Sequence, residues 1–92
     1  MNYTIWKYLL NADEYNRINM PKGAQILSIH VQRGMPCMWV LVDAEQSLVE
    51  RVFEIFGTGH RVPMEMGMNR NFIGTFMVES ETLVFHVFER ID

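Results

Sequence analysis

Residues 25–43 read QILSIHVQRGMPCMWVLVD, and this stretch decides the fold. In its first half Leu27, Ile29 and Val31 alternate with Ser28, His30 and Gln32. Successive strand side chains point to opposite faces, so this is the pattern of a strand with one face in a core and the other in water. Arg33-Gly34-Met35-Pro36 follows, a turn by its Gly and Pro content. Residues 37–43 are apolar on both faces, as a central strand requires. Two such segments around a short turn predict a β-hairpin.

The pattern continues in both directions. Asp43 to Ser47 is polar and short, and reads as a second turn. Over 48–56, Val49, Arg51, Phe53 and Ile55 share one face and Glu50, Val52, Glu54 and Phe56 the other. A helix over 44–56 is the alternative, because Asp43 can cap it and Glu45 and Gln46 suit a first turn. The β-branched and aromatic content and the lack of a 3.6-residue stripe favour a strand. Gly57 to His60 breaks the run, and 61–70, with Pro63, Gly67 and Asn69, reads as a loop. Strand character resumes over 71–79, with Gly74 inside it as a bulge or a point of close contact. Ser80 to Thr82 turns the chain, and 83–89 closes a hairpin with 71–79. Upstream, Tyr3 to Leu9 reads as a strand, 11–14 as a turn, and 15–20 as a short edge strand ended by Pro21. The expected fold is all-β, a single-domain antiparallel sandwich or small barrel of about six or seven strands.

Ninety-two residues suit one domain, and 49% hydrophobic with 21% charged residues can build a core. A domain this small buries only ~60–65% of its unfolded surface, so a homo-oligomer is expected. In the first strand, 3–9, Trp6 and Tyr8 share one face and Ile5, Lys7 and Leu9 the other; such a surplus of apolar surface points to a subunit interface. A net charge of −3 argues against general nucleic-acid or anionic-membrane binding. The single cysteine, Cys37, excludes an internal disulfide and a cysteine-cluster zinc site. No apolar run approaches ~18 residues. The start, MNYTIWK, has no basic segment leading into an apolar one, so a cytoplasmic location is the expectation.

The most unusual local string is Gly57-Thr58-Gly59-His60 with Arg61 next. Two glycines around a threonine let backbone amides turn toward an anion. Thr58 adds a hydroxyl, His60 an imidazole and Arg61 a fixed charge. The plainer reading is a strand-end turn needing both glycines for positive φ. The string is neither a P-loop nor a dinucleotide fingerprint. His30, His60 and His86 lack metal-ligand spacing, so no metal or cofactor is expected. Cys37 reads as a small buried residue, with His30 as its hairpin neighbour. The aromatics read mostly as core. Met64, Met66 and Met68 suit either an adaptable contact surface or a loop folded back on the core. The acidic residues are dispersed and read as solvated, with no acid–base pair.

The strings IWKY, MPKGAQILS, GMPCMWVLVD, FEIFGTGH, FIGTF and LVFHVFE, spanning roughly 5–89, resemble a family of small uncharacterised proteins of tailed phages and prophages. The resemblance carries no catalytic residue or cofactor. It implies a place among compact phage proteins that blunt host defence, some of which sequester nucleotide-derived immune signals without cleaving them. The expectation is therefore a non-catalytic protein holding a small anionic ligand, with Gly57, Thr58, Gly59, His60 and Arg61 on the anion, Lys22 or Arg33 adding charge, and Trp39 or Tyr8 stacking on a base. The alternatives are an inhibitor or accessory factor docking on a host protein, and a small nucleotide hydrolase or lyase using Cys37 with His60 or His86.

Overall fold

The computed structural model describes residues 2–11, 15–64, 67–78 and 82–91. They form seven strands: β1 (Tyr3–Leu9), β2 (Tyr15–Pro21), β3 (Gln25–Gln32), β4 (Met35–Asp43), β5 (Leu48–Gly57), β6 (Arg70–Val78) and β7 (Leu83–Arg90). Every pairing is antiparallel, in a three-stranded sheet of order β1-β4-β3 and a four-stranded sheet of order β2-β5-β7-β6. The all-β fold expected from the alternation is the fold observed, and its arrangement fits a sandwich. The expected turns at 11–14 and 80–82 lie largely, and Met66 wholly, outside the described residues.

One two-stranded ribbon runs through both sheets. β3 pairs with β4, and the same two chain segments continue as β2 paired with β5. Between the two ladders, three residues (22–24) on one side face a longer stretch after Leu41 on the other, so the ribbon must bend there. The Lys22 amide donates to the Ser47 carbonyl at 2.8 Å and closes the bend. Arg51 locks it: its guanidinium grips Glu89 of β7 through two bonds of 2.6 and 2.8 Å and also donates to the carbonyl of Ala24. The bend brings Ile29, Met38, Val40 and Val42 of one sheet against Met20, Phe53, Ile55, Phe76 and Val87 of the other. Fully burying such side chains contributes ~1.5–3 kcal/mol each.

Several details differ from the sequence reading. β4 begins at Met35, because Arg33 and Gly34 alone make the hairpin turn, with φ of 52° and 78°. Two consecutive positive-φ residues match the right-handed twist of the strands they join. Pro36 is tolerated in the central strand because its carbonyl meets the Leu10 amide (2.9 Å) at the very end of β1's ladder, where little is lost by a missing N–H. Residues 48–57 are strand, so the helix over 44–56 does not form. The register shifts between Phe72 and Gly74, as the bulge reading expects, but a Cβ on Gly74 would make only ordinary contact with Ile29 at 3.7 Å, so no close approach requires the glycine. Glu54 and Glu89 are buried and paired with arginines, not solvated. Tyr3, Tyr15 and Phe72 are exposed, not core.

Two outcomes follow from these contacts. Glu89→Ala strands the Arg51 guanidinium and is expected to cost about 2 kcal/mol in urea unfolding, against a few tenths for an exposed carboxylate. At the β4–β5 bend, the Glu45 amide (3.1 Å) and the Gln46 side chain (3.5 Å) hold the Asp43 carboxyl below its ordinary value. A lowered folded pKa gives stability that is full above the unfolded value and lost as pH falls through the folded one. Stability is therefore expected to fall below about pH 4, and Asp43→Asn to flatten that limb of the pH–stability curve.

Candidate functional site

The glycine turn closes the end of β5 against the start of β7. Its amides are largely consumed: Thr58 donates to the Val84 carbonyl and His60 to that of Gly57, both at 3.0 Å. The expected inward-facing amide cradle is thus reduced, because the β5–β7 ladder extends through Thr58. Only Gly59 has positive φ (88°). Gly57 serves a different need: a Cβ there would meet the His60 ring at 2.8 Å. Thr58, His60, Thr82 and Leu83 border a recess of about 270 Å³, whose walls do not include Arg61. Beside it, His86 bridges two hydroxyls, with Nε2 2.8 Å from Thr58 Oγ1 and Nδ1 3.0 Å from Thr75 Oγ1.

Trp39 is elsewhere. It lies in the other sheet, on the outer face of β4, where Lys7 of β1 is its register partner. The Lys7 ammonium stands 5.9 Å from the centre of the indole and donates to Gln32 Oε1 at 2.9 Å. Gln32 ends β3, next to Arg33 in the hairpin turn. Lys7, Gln32, Arg33, Leu9, Met35 and Cys37 surround a hollow of about 420 Å³, and none of the described residues in its wall is acidic. Two fixed cations therefore face one open space in a chain whose net charge is −3. Asparagine and glycine are the residues that normally occupy the Arg33 position, since a side chain there costs roughly 1 kcal/mol.

The structure thus divides the predicted set. It gathers Gly57, Thr58 and His60, leaves Arg61 and Lys22 exposed and apart, and sets Trp39 against Lys7, which shares the second hollow with Arg33. Lys7 was missed as a site residue, because its meeting with Trp39 depends on the β1–β4 register. His30 is the register partner of Cys37, as the hairpin suggested. The Cys37 thiol is buried, however, and donates to the Met35 carbonyl at 3.4 Å. No group of His, Cys, Asp or Glu able to hold a metal converges among the described residues. Met64 is 78% exposed, its sulfur 3.4 Å from an Arg70 nitrogen. A third space, an apolar cleft of about 340 Å³ between Met35, Pro36, Ile55, Phe76, Leu83 and Phe85, opens under the hairpin tip.

Gly57→Ala is expected to fold, to lower stability by less than about 1 kcal/mol, and to swing the exposed His60 ring away, read as a shift of the His60 ring protons by NMR.

No curated protein and no solved structure matches the chain. A family does match it from end to end: over residues 1–92, the chain belongs to the family described as Domain of unknown function (DUF7352).

Proposed function

We propose that this chain is a non-catalytic binding protein for a small anionic, ring-bearing ligand of nucleotide type, and that the ligand is held at the Lys7–Arg33 hollow beside Trp39. The observation that carries this reading is the pairing of two cations, Lys7 and Arg33, around one open hollow whose described lining residues include no acid. Phosphate oxygens would accept from the Arg33 fork and the Lys7 ammonium, and charge-assisted bonds of this kind are about twice as strong as neutral ones. A base or other ring would lie against the indole, worth ~1–3 kcal/mol in comparable settings. Arg33 keeps its strained backbone where asparagine would relax it, which fits a residue retained for what its side chain binds.

The likeness to tailed-phage proteins supplies the setting: a host-cell interior in which a nucleotide-derived immune signal is sequestered, not cleaved. The glycine turn keeps a lesser part, since its hydroxyl and amide donors are already shared with β7. Hydrolase or lyase chemistry has less support, because the Cys37 thiol is buried and bonded to a carbonyl. Docking on a host protein draws support from Met64 and Phe72, which are strongly exposed beside the other sheet.

Calorimetry against cyclic nucleotides and ADP-ribose derivatives is expected to give micromolar binding to at least one. Arg33→Asn should weaken that binding about 10- to 100-fold by removing a charged donor. The same change creates an Asn-Gly turn and should raise stability by about 1 kcal/mol. Absence of heat from every compound with protein at about 100 μM would overturn the reading.

A further inference from the structure

β1 ends the three-stranded sheet, and among the described residues no strand pairs with its outer backbone edge. Which groups lie on that edge follows from the two bonds that bracket its ladder with β4. The Asn2 carbonyl accepts from the Ala44 amide at 3.0 Å, and the Leu10 amide donates to the Pro36 carbonyl at 2.9 Å. Residues that bond a given neighbour alternate along an antiparallel strand. The even-numbered residues therefore bond β4, and the N–H and C=O groups of Tyr3, Ile5, Lys7 and Leu9 point along the open edge. β1 has no proline, its ladder has no bulge, and its one charge, Lys7, is held over Trp39 and bonded to Gln32. Tyr3, Ile5 and Leu9 on one face and Trp6 on the other remain 60%, 57%, 59% and 37% exposed.

We propose that β1 pairs with β1 of a second copy, antiparallel about a twofold axis through Trp6, so that the two sheets become one of order β3-β4-β1-β1-β4-β3. The edge is complementary to itself in this register. Tyr3 faces the partner's Leu9 and Ile5 faces the partner's Lys7, so all four open N–H groups and all four open carbonyls are bonded. Centring on Lys7 instead sets two ammonium groups face to face and leaves Tyr3 unpaired. Centring on Ile5 leaves Leu9 unpaired. Trp6 meets the partner's Trp6 in a non-hydrogen-bonded pair, where side chains approach most closely. The partner's Tyr3 arrives beside Leu9, a wall of the Lys7–Arg33 hollow. The pairing is inferred from the edge alone and stands whether or not that hollow binds a ligand.

Sedimentation of the full chain at about 100 μM, without ligand, is expected to give twice the protomer mass; the protomer mass would overturn the proposal. Ile5→Pro removes an N–H that β4 does not use, so β1 should stay in its sheet while the dimer is lost. A dimer that survives Ile5→Pro overturns the proposal. Register is read independently of that variant. Under oxidation, Trp6→Cys should yield a disulfide-linked dimer, because facing non-hydrogen-bonded Cβ atoms lie near disulfide distance. Lys7→Cys should not, and the buried Cys37 does not compete. Cross-linking through Lys7→Cys and not Trp6→Cys would place the axis elsewhere and end the proposal.

Discussion

The bend between the two ladders of the β2–β3 and β4–β5 ribbon is the constraint on which the rest of the molecule depends. A flat ribbon would leave Ile29, Met38, Val40 and Val42 facing water. Bending it lays them against Met20, Phe53, Ile55 and Val87 and creates the core. Arg51 makes the bend specific, because its fork reaches both Glu89 on β7 and the Ala24 carbonyl within the bend. A guanidinium suits this place: planar donors satisfy a carboxylate and a carbonyl at once, and the charge is matched where it leaves water.

The two sheets then meet solvent differently. On the four-stranded sheet, Glu54 is gripped by Arg70 at 2.7 Å, and the Arg70 guanidinium lies over the Phe56 ring and donates to the Pro63 carbonyl, tying the segment after β5 to this sheet. The three-stranded sheet has no such cover among the described residues. Its outer face carries Tyr3, Ile5, Lys7, Leu9 and Trp39, with Arg33 at its rim. The exposed cations and the indole concentrate on that uncovered face. A cation held over an indole keeps its charge available while its stem covers apolar surface. The same lack of cover leaves the outer edge of β1 unpaired among the described residues, so the Lys7–Arg33 hollow and that edge are neighbours by construction.

The glycine turn shows how a local string misleads. Two glycines around a threonine permit an anion-binding loop, but permission is not commitment. Val84 lies across from Thr58 and takes its amide, and His60 folds back onto Gly57. His86, in mid-strand in the sequence reading, turns out to link this turn to β6 through two threonine hydroxyls. Nothing in the spacing of Thr58, Thr75 and His86 announces that contact, because it depends on three strands lying side by side.

Alternation of side chains along a strand is a local property, and so the strands, both hairpins, the central place of 37–43 and an irregularity beside Gly74 could be read from the residues alone. The sequence also determined that β1 has apolar side chains on both faces. The order of strands, the bend and the pairings across it were decided only in the tertiary structure, because they depend on which distant faces bury the most apolar surface together. That is why Glu54 and Glu89 looked solvated and are buried, and why Trp39 meets Lys7 instead of the glycine turn. A carboxylate's surroundings, unlike its strand, are supplied by residues tens of positions away.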